Sequence, residues 1–433
     1  VKALTATSLA LALAACNMAP KYVRPDLPVP ETSPAGPVGG AADATAVSAD
    51  TAWKDFFTDP RLARVIQTAL DNNRDLRIAL ANVEQARAQY RVQRADLLPA
   101  VGVNGSATYQ DQPFAQQSSG GTGGVSGRTD IYTASVGVSA WEVDLFGRVR
   151  NLTKAAQESY FASVENRNAA QTALIAETAT AWLTMAADQE RLQIARNLEK
   201  AFGQTLDLTK ARFSKGIASE LEVRQAQTSY DQARSDIAAA TTQVAQDKNA
   251  LDLLAGTSLG AEDLPSNLPE TDVTLANLPA ELPSSLLLRR PDIAAAEHQL
   301  IGANANIGAA RAAFFPTISL TAAFGTMSLG LSNLFKSGSD YWSLAPSASL
   351  PIFDFGKNQG NLRYARATYD AMVATYEKSV QTGFREVADA LARRATMSAQ
   401  LEAQTSLRNA ARKSYQLSLI HISEPTRPRL ISY

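Results

Sequence analysis

The sequence holds one cysteine, Cys16, and two histidines, His298 and His421. A single cysteine excludes an intrachain disulfide, and so few soft ligands exclude zinc sets of the Cys/His kind. Proline is missing from the whole interval between Pro113 and Pro265, and from Arg148 to Ala255 the only glycines are Gly203 and Gly216. An interval so poor in breakers excludes a succession of short elements and turns. Aromatic residues make up 7% of the chain and the net charge is −1. The first is lean for a thick globular core and suits thin walls of packed helices, with Ala, Gln, Ser and Thr at the contacts. The second removes any bulk attraction to nucleic acid or anionic lipid. No G-x-x-x-x-G-K-[ST] phosphate loop occurs. Gly120-Gly121-Thr122-Gly123-Gly124 falls between two β-like stretches, where flexibility is its use. Carboxylates on the helical stretches stand near Lys or Arg and read as solvated faces. The chain is expected not to be an enzyme, and no catalytic, cofactor or metal residue is assigned.

What is present is one pattern written twice, about 210 residues apart. Ala95-Asp96-Leu97-Leu98-Pro99-Ala100-Val101 returns as Ala312-Ala313-Phe314-Phe315-Pro316-Thr317-Ile318. Trp141-Glu142-Val143-Asp144-Leu145-Phe146-Gly147-Arg148 returns as Leu350-Pro351-Ile352-Phe353-Asp354-Phe355-Gly356-Lys357. Each copy runs from a helical pattern through a proline into a β-like stretch, a loop and a second β-like stretch. Each then closes on an aspartate, a Phe-Gly pair and a very long helical pattern. Such internal repetition decides the fold class: a duplicated unit of long helices and a strand pair, mainly α with membrane β.

Residues 1–15 read as an export signal, with Lys2 before the apolar run Leu4 to Ala15. That run is shorter than the roughly 20 residues of a membrane-spanning helix. Leu13-Ala14-Ala15-Cys16 resembles the bacterial lipobox, which makes Cys16 the expected lipidation site; the competing reading is an ordinary signal with an incidental cysteine. Asn17, in place of an aspartate, permits outer-membrane sorting. Residues 16–58 are read as a lipid-anchored tether, 59–256 as the first repeat, 257–290 as a linker and 291–416 as the second repeat. Leu417 to Arg427 match a translated sequencing-adapter peptide, so 417–433 are expected to be a non-native tail and the second repeat to be cut short. The remaining histidine, His298, is expected to be a solvated or packing residue.

Asp59-Pro60 opens the first helical pattern, which Asn72-Asn73 interrupts. A helix over 148–213 would be roughly 100 Å long at 1.5 Å per residue. Along it Trp182, Met185, Gln189, Leu192, Ala195, Phe202, Leu206, Thr209 and Phe213 form an approximate heptad seam. Gly216 marks a reversal, and Ser219 with Glu222 forms a capping box before a helix over 220–254. Further helices follow from Pro291 to about Phe314 and from Asn358 to Gln416. The β-like stretches are about 100–110, 131–146, 317–329 and 341–355, each long enough to cross a bilayer as a tilted strand. Four strands leave two bare edges, which lipid does not tolerate, and a barrel needs about eight or more. Copies must therefore combine if these strands span a membrane. Tyr132, Trp141, Tyr341, Trp342, Phe353 and Phe355 lie near strand ends, where an aromatic girdle would sit; core packing is the plainer alternative.

Several motifs in this order carry a family resemblance. They are the lipobox, Tyr22-Val23-Arg24-Pro25, Trp53…Phe57-x-Asp59-Pro60-x-Leu62, Leu287-Leu288-Arg289-Arg290-Pro291-Asp292-Ile293, Ala312-Ala313-Phe314-Phe315-Pro316 and Phe384-Arg385-Glu386-Val387-Ala388-Asp389-Ala390-Leu391. Together they resemble the TolC-type outer membrane factors, and within them the NodT group of efflux lipoproteins. The resemblance implies a homotrimer in which each chain gives four strands to a twelve-stranded barrel and long helices to a periplasmic tunnel. It further implies a passive efflux duct in the outer membrane of a Gram-negative bacterium. A periplasmic adaptor and an inner-membrane resistance-nodulation-division pump would be its partners. The alternatives are the duct of a type I protein secretion system, or a periplasmic adaptor lipoprotein, which would have one hairpin instead of a tandem repeat. The family's gate aspartate falls on the last helix of the second repeat. Aligning Gly147 with Gly356 puts Ser418 opposite Thr209, so no gate residue is assigned and Asp389, on the preceding helix, is not a candidate.

Overall fold

The computed structural model describes residues 17–32, 51–112, 127–269, 273–274 and 283–423. The export signal, Cys16, Gly120–Gly124 and residues 424–433 lie outside these. The elements are α1 (Trp53–Phe56), α2 (Pro60–Asn72), α3 (Arg74–Ala95), β1 (Val101–Gln112) and β2 (Gly127–Glu142). They continue with α4 (Arg148–Ser214), α5 (Glu220–Ala255), a 3-10 turn (Ser284–Arg289), α6 (Pro291–Ala312), β3 (Thr317–Ser328), β4 (Asp340–Ser349) and α7 (Lys357–Ser423).

Local chemistry sets most of these boundaries. The Asp59 carboxylate accepts from the Arg61 and Leu62 amides at 2.8 and 3.4 Å, and Pro60 takes the first helical position, where a missing N–H is harmless. Asn73 leaves the helix with ψ 136°, so the Asn72-Asn73 interruption is a break between α2 and α3. α4 and α7 each run 67 residues without a proline. Gly216, at φ +73°, turns the chain after α4, and Ser219 and Glu222 exchange the reciprocal bonds of a capping box at the head of α5. Gly256 then ends α5 in the left-handed region at φ +68°.

Four boundaries differ from expectation. β2 stops at Glu142 and β4 at Ser349, because Pro351 has no N–H for a ladder and each aspartate folds back onto the next helix. α6 ends at Ala312, two residues before Phe314. α7 continues helically to Ser423, past Gln416. Nothing between Leu417 and Ser423 breaks a helix, and the first restriction is Pro425, which disfavours helical backbone at the residue before it.

The contacts divide the chain into two compact units, each drawing on both repeats. The first comprises residues 1–26, 74–172 and 294–376; the second comprises 27–73, 173–293 and 377–433. The second unit is built on Leu62, Val65 and Ile66 of α2, Ala179, Trp182 and Met185 of α4, Leu251 and Ala255 of α5, and Leu259. Trp53 and Phe57 pack against this core. The fully buried Trp182 satisfies its indole N–H on the Asp263 carbonyl at 2.9 Å. The expected seam is buried at Trp182, Met185, Leu192, Ala195 and Leu206, whereas Phe213, beside the turn, is exposed. The resemblance motifs also meet in this unit: Arg290 bridges Asp292 and Glu386 at 2.8 and 2.7 Å, and Gly383 packs on Ile293 and Arg290.

Candidate transmembrane sheet and anchoring strap

In the first unit the four strands form one antiparallel sheet in the order β1-β2-β3-β4. Pairing assigns every side chain to one of two faces, because successive residues alternate. One row across the sheet is Val103, Val136, Phe324 and Trp342. All four are 49–82% exposed. The row beside it is Asn104, Ser135, Gly325 and Tyr341. The pattern holds over most of the strands; towards the β1–β2 and β3–β4 connections Arg128, Asp130, Thr326, Ser328 and Asp340 join the first face, and Ile131 and Met327 the second. Val101, Ala107, Tyr109, Tyr132, Ala134, Val138, Trp141, Ile318, Leu320, Ala322 and Leu344 share the first face. Ser106, Thr108, Thr133, Ser319, Thr321, Ser343 and Ser347 share the second. Hydroxyls pair across that second face, Ser106 with Thr133 at 2.6 Å and Ser319 with Ser347 at 2.7 Å.

A large exposed apolar face is unstable in water, and strands of 10–16 residues suit a bilayer. The polar face offers hydroxyls and amides. Among the described side chains its one carboxylate is Glu142, at the foot of β2, held by Arg148, and no Lys, Arg or His of the four strands lies on it. The aromatics sort in a way the sequence did not show. Tyr109 and Tyr132 meet edge-to-face at 6.0 Å on the apolar face, with Trp141 and Trp342. Tyr341 lies on the polar face opposite Gly325, because an odd register position in β4 points away from Trp342. Phe353 and Phe355 lie beyond the end of β4 and belong to no strand.

At the strand feet the two aspartates perform the same task. Asp144 accepts from the Arg150 amide at 2.8 Å, and Asp354 accepts from Gly356 and Asn358 at 2.9 Å each. Both place negative charge at a helix N-terminus, where the dipole favours it. The Asn358 amide bond holds the Asp354 carboxyl below its usual range. The spacing is not identical, however: the aspartate stands three residues before Gly147 and two before Gly356.

The chain just after Cys16 is strapped to the helices that carry these feet. Asn17 Oδ1 accepts from Asn151 at 2.8 Å, the Met18 carbonyl from Arg311 at 3.3 Å, and the Pro20 carbonyl from Asn304 at 2.8 Å. Arg24 makes a two-toothed bridge to Glu297 at 2.6 and 2.9 Å, and the Tyr22 hydroxyl donates to the same carboxylate at 3.2 Å. Gly308 permits the close approach, since a Cβ there would come within 2.7 Å of Ala19. Asn17 sits beside Gly147, at the start of α4 and the foot of β2. His298 is more than a packing residue: its Nδ1 lies 2.6 Å from the buried Glu158 carboxylate, which Lys154 also contacts at 2.6 Å, and its ring meets Phe161. Glu158 and Glu297 were missed in the sequence because His298 and Arg24, which they hold, lie 140 and 273 residues away. Asp389 is exposed on α7. Among the described residues no three His, Cys, Asp or Glu side chains gather as a metal set, and no helix is long and apolar enough to cross a membrane.

A sheet with one apolar and one hydroxyl-lined face, standing on long polar helices, defines a subunit of a membrane β-channel. Comparison with known proteins makes this particular. The family model for outer membrane efflux proteins matches residues 65–257 and 282–422, and the chain belongs to that family. It is 45% identical to the toluene efflux pump outer membrane protein TtgC of Pseudomonas putida, over 94% of this chain and 84% of the relative. It is 42% identical to the outer membrane protein OprJ of Pseudomonas aeruginosa, over 96% and 85%. The open state of the MtrE outer membrane channel of Neisseria gonorrhoeae superposes with a TM-score of 0.83 at 37% identity, covering 95% of this chain and 89% of that one. The protein is an outer membrane efflux channel component.

Proposed function

We propose that three copies of this chain close into a passive duct through the outer membrane, with twelve strands as the barrel and the long helices as a periplasmic tunnel. Drugs or other small molecules enter from an inner-membrane pump of the resistance-nodulation-division type through a periplasmic adaptor. The observation that carries this reading is the sheet itself: an apolar face bounded by the free edges of β1 and β4. Bare edges in hydrocarbon cost several kcal/mol per unsatisfied group, and three copies of four strands exceed the roughly eight a barrel needs. The duct does no catalysis; the driving energy belongs to the pump. Cys16 carries the acyl chains, and the strap from Asn17 to Arg24 holds that anchor at the strand feet.

The full-length protein in detergent is expected to run as a trimer, and its deletion to sensitise cells to pump substrates. A monomeric periplasmic species would overturn the reading. Cys16→Ala should abolish incorporation of labelled palmitate while leaving membrane insertion partly intact; persistent labelling would refute the anchor assignment.

A further inference from the structure

At the foot of β2 the backbone is strained in a way that decides where one charge goes. Glu142 is the last residue of β2 and lies opposite Ser319 on the hydroxyl face. Its carboxylate accepts from Arg148, at the head of α4, through Nε at 2.9 Å and through Nη2. A β-bulge sets this facing. Between Val138 and Trp141 the pairing with β3 shifts by one residue. Ala140 there stands in the left-handed region at φ +49°, which is strained for a residue with a Cβ, and its N–H donates to the Thr321 hydroxyl at 3.1 Å. Without the extra residue Trp141 would fall opposite Ser319 and Glu142 opposite Ile318, so the indole would face the hydroxyl side and the carboxylate the apolar side. The bulge exchanges them. The second repeat has no copy of this arrangement: β4 pairs with β3 without a shift, and the positions matching Glu142 and Arg148 hold Pro351 and Lys357.

We infer that Glu142 and Arg148 set the charge preference of the passage where the barrel meets the helices, three copies of the pair forming a charged belt on the inner wall. This deepens the duct reading and rests on it. Along the described strands the rest of that wall is hydroxyl, amide or small, so no other strand side chain competes with the belt. Both charges reach water, the Glu142 side chain being 19% exposed and that of Arg148 40%. Asp144 and Asp96 also act on Arg148, and Asp144 is itself bridged to Arg150 at 3.2 Å. The foot of each chain thus gathers three acids and two bases, one net negative charge. Loss of Arg148 would double that charge, and loss of Glu142 would cancel it. A wall charge acts on a passing ion over about one Debye length, about 10 Å at 0.1 M salt, and low-dielectric walls focus its field. The balance of the two residues, more than either alone, therefore decides which sign of ion or cargo passes more freely.

Planar bilayers holding trimers of the full-length protein, under a potassium chloride gradient near 0.1 M, test the assignment. Glu142→Gln should raise the chloride-to-potassium permeability ratio by on the order of twofold, and Arg148→Gln should lower it by a similar factor. The double variant should return to the value of the unchanged protein. A bridge that served only to tie β2 to α4 would behave otherwise: the single variants would move the ratio together or not at all, and the double variant would bring no return. Either pattern would overturn the assignment. Should a single variant fail to assemble, Ser319→Lys and Ser319→Asp leave the pair intact and add a charge opposite Glu142. They should raise and lower the ratio respectively, and an unchanged ratio in both would place this level away from the ion path and refute the belt. Unchanged protein that inserts as trimers yet conducts no ions would instead sink the duct reading beneath it.

Discussion

The assignment of the two sheet faces can be tested at neighbouring residues of one central strand. Val136 and Ser135 are adjacent in β2, and each is paired on both sides, Val136 with Val103 and Phe324, Ser135 with Asn104 and Gly325. Register is therefore fixed for both, and a lysine at either position keeps the same backbone. Val136→Lys puts an ammonium into the apolar row at a position 49% exposed on the free chain. A lysine on the lipid face near the bilayer midplane costs about 2–4 kcal/mol, and three copies would carry roughly 6–12 kcal/mol per barrel. Ser135→Lys points the same charge into the hydroxyl-lined side, where it remains hydrated. Val136→Lys is therefore expected to deplete heat-resistant trimers from outer-membrane preparations. Ser135→Lys should assemble in near-normal amounts and, in planar bilayers under a potassium chloride gradient, shift the reversal potential towards anions. The opposite result, normal assembly for Val136→Lys with altered ion selectivity and failure of Ser135→Lys, would refute the faces drawn from the strand register.

Three further outcomes follow from packing away from the strands. Gly256→Ala combines left-handed strain of about 1–2 kcal/mol with a Cβ only 2.4 Å from the Asn72 carbonyl oxygen. It should lower the apparent melting temperature of the helices by circular dichroism, and Gly256→Asn should help little, since the clash persists; a silent Gly256→Ala would contradict the close approach. Asp247 is buried near Asp188 with one carboxylate oxygen unpartnered. Gln243 bonds its other oxygen, and Arg191 bonds Asp188. Burial first, then the Asp188 charge, raises the Asp247 carboxyl above its ordinary value. With the folded value raised, its stabilisation is complete below the ordinary Asp value of about 3.9 and fades as pH rises through the folded value. Asp247→Asn should therefore stabilise at pH 7–8 by on the order of 1 kcal/mol and not at pH 4 or below; thermal melts showing equal effects at both ends would refute this. Glu297→Gln should loosen the strap and speed tryptic cleavage after Lys21 about fivefold, for a local loss of roughly 1 kcal/mol; unchanged cleavage would mean the bridge does not hold the strap.

The features legible in the sequence are those decided by a few neighbouring residues. The break at Asn72-Asn73, the Gly216 reversal and the Ser219–Glu222 box depend on local backbone chemistry, and all stand where the residues placed them. Strand ends were less legible because a ladder ends where pairing ends, and Pro351 cut β4 short of Phe355. Facing depends on a partner too. In β1 the alternation of Val101, Val103, Ala107 and Tyr109 with Asn104, Ser106 and Thr108 is plain in one strand alone. In β4, Tyr341 and Trp342 are both aromatic, and Ala345 and Ala348 both small, so only the pairing of Trp342 with Phe324 and Tyr341 with Gly325 separates the two faces. The strap was invisible for the same reason on a larger scale, since Arg24 and Glu297 have no local signature to link them. The hidden features share a cause: each needs a surface supplied from far along the chain.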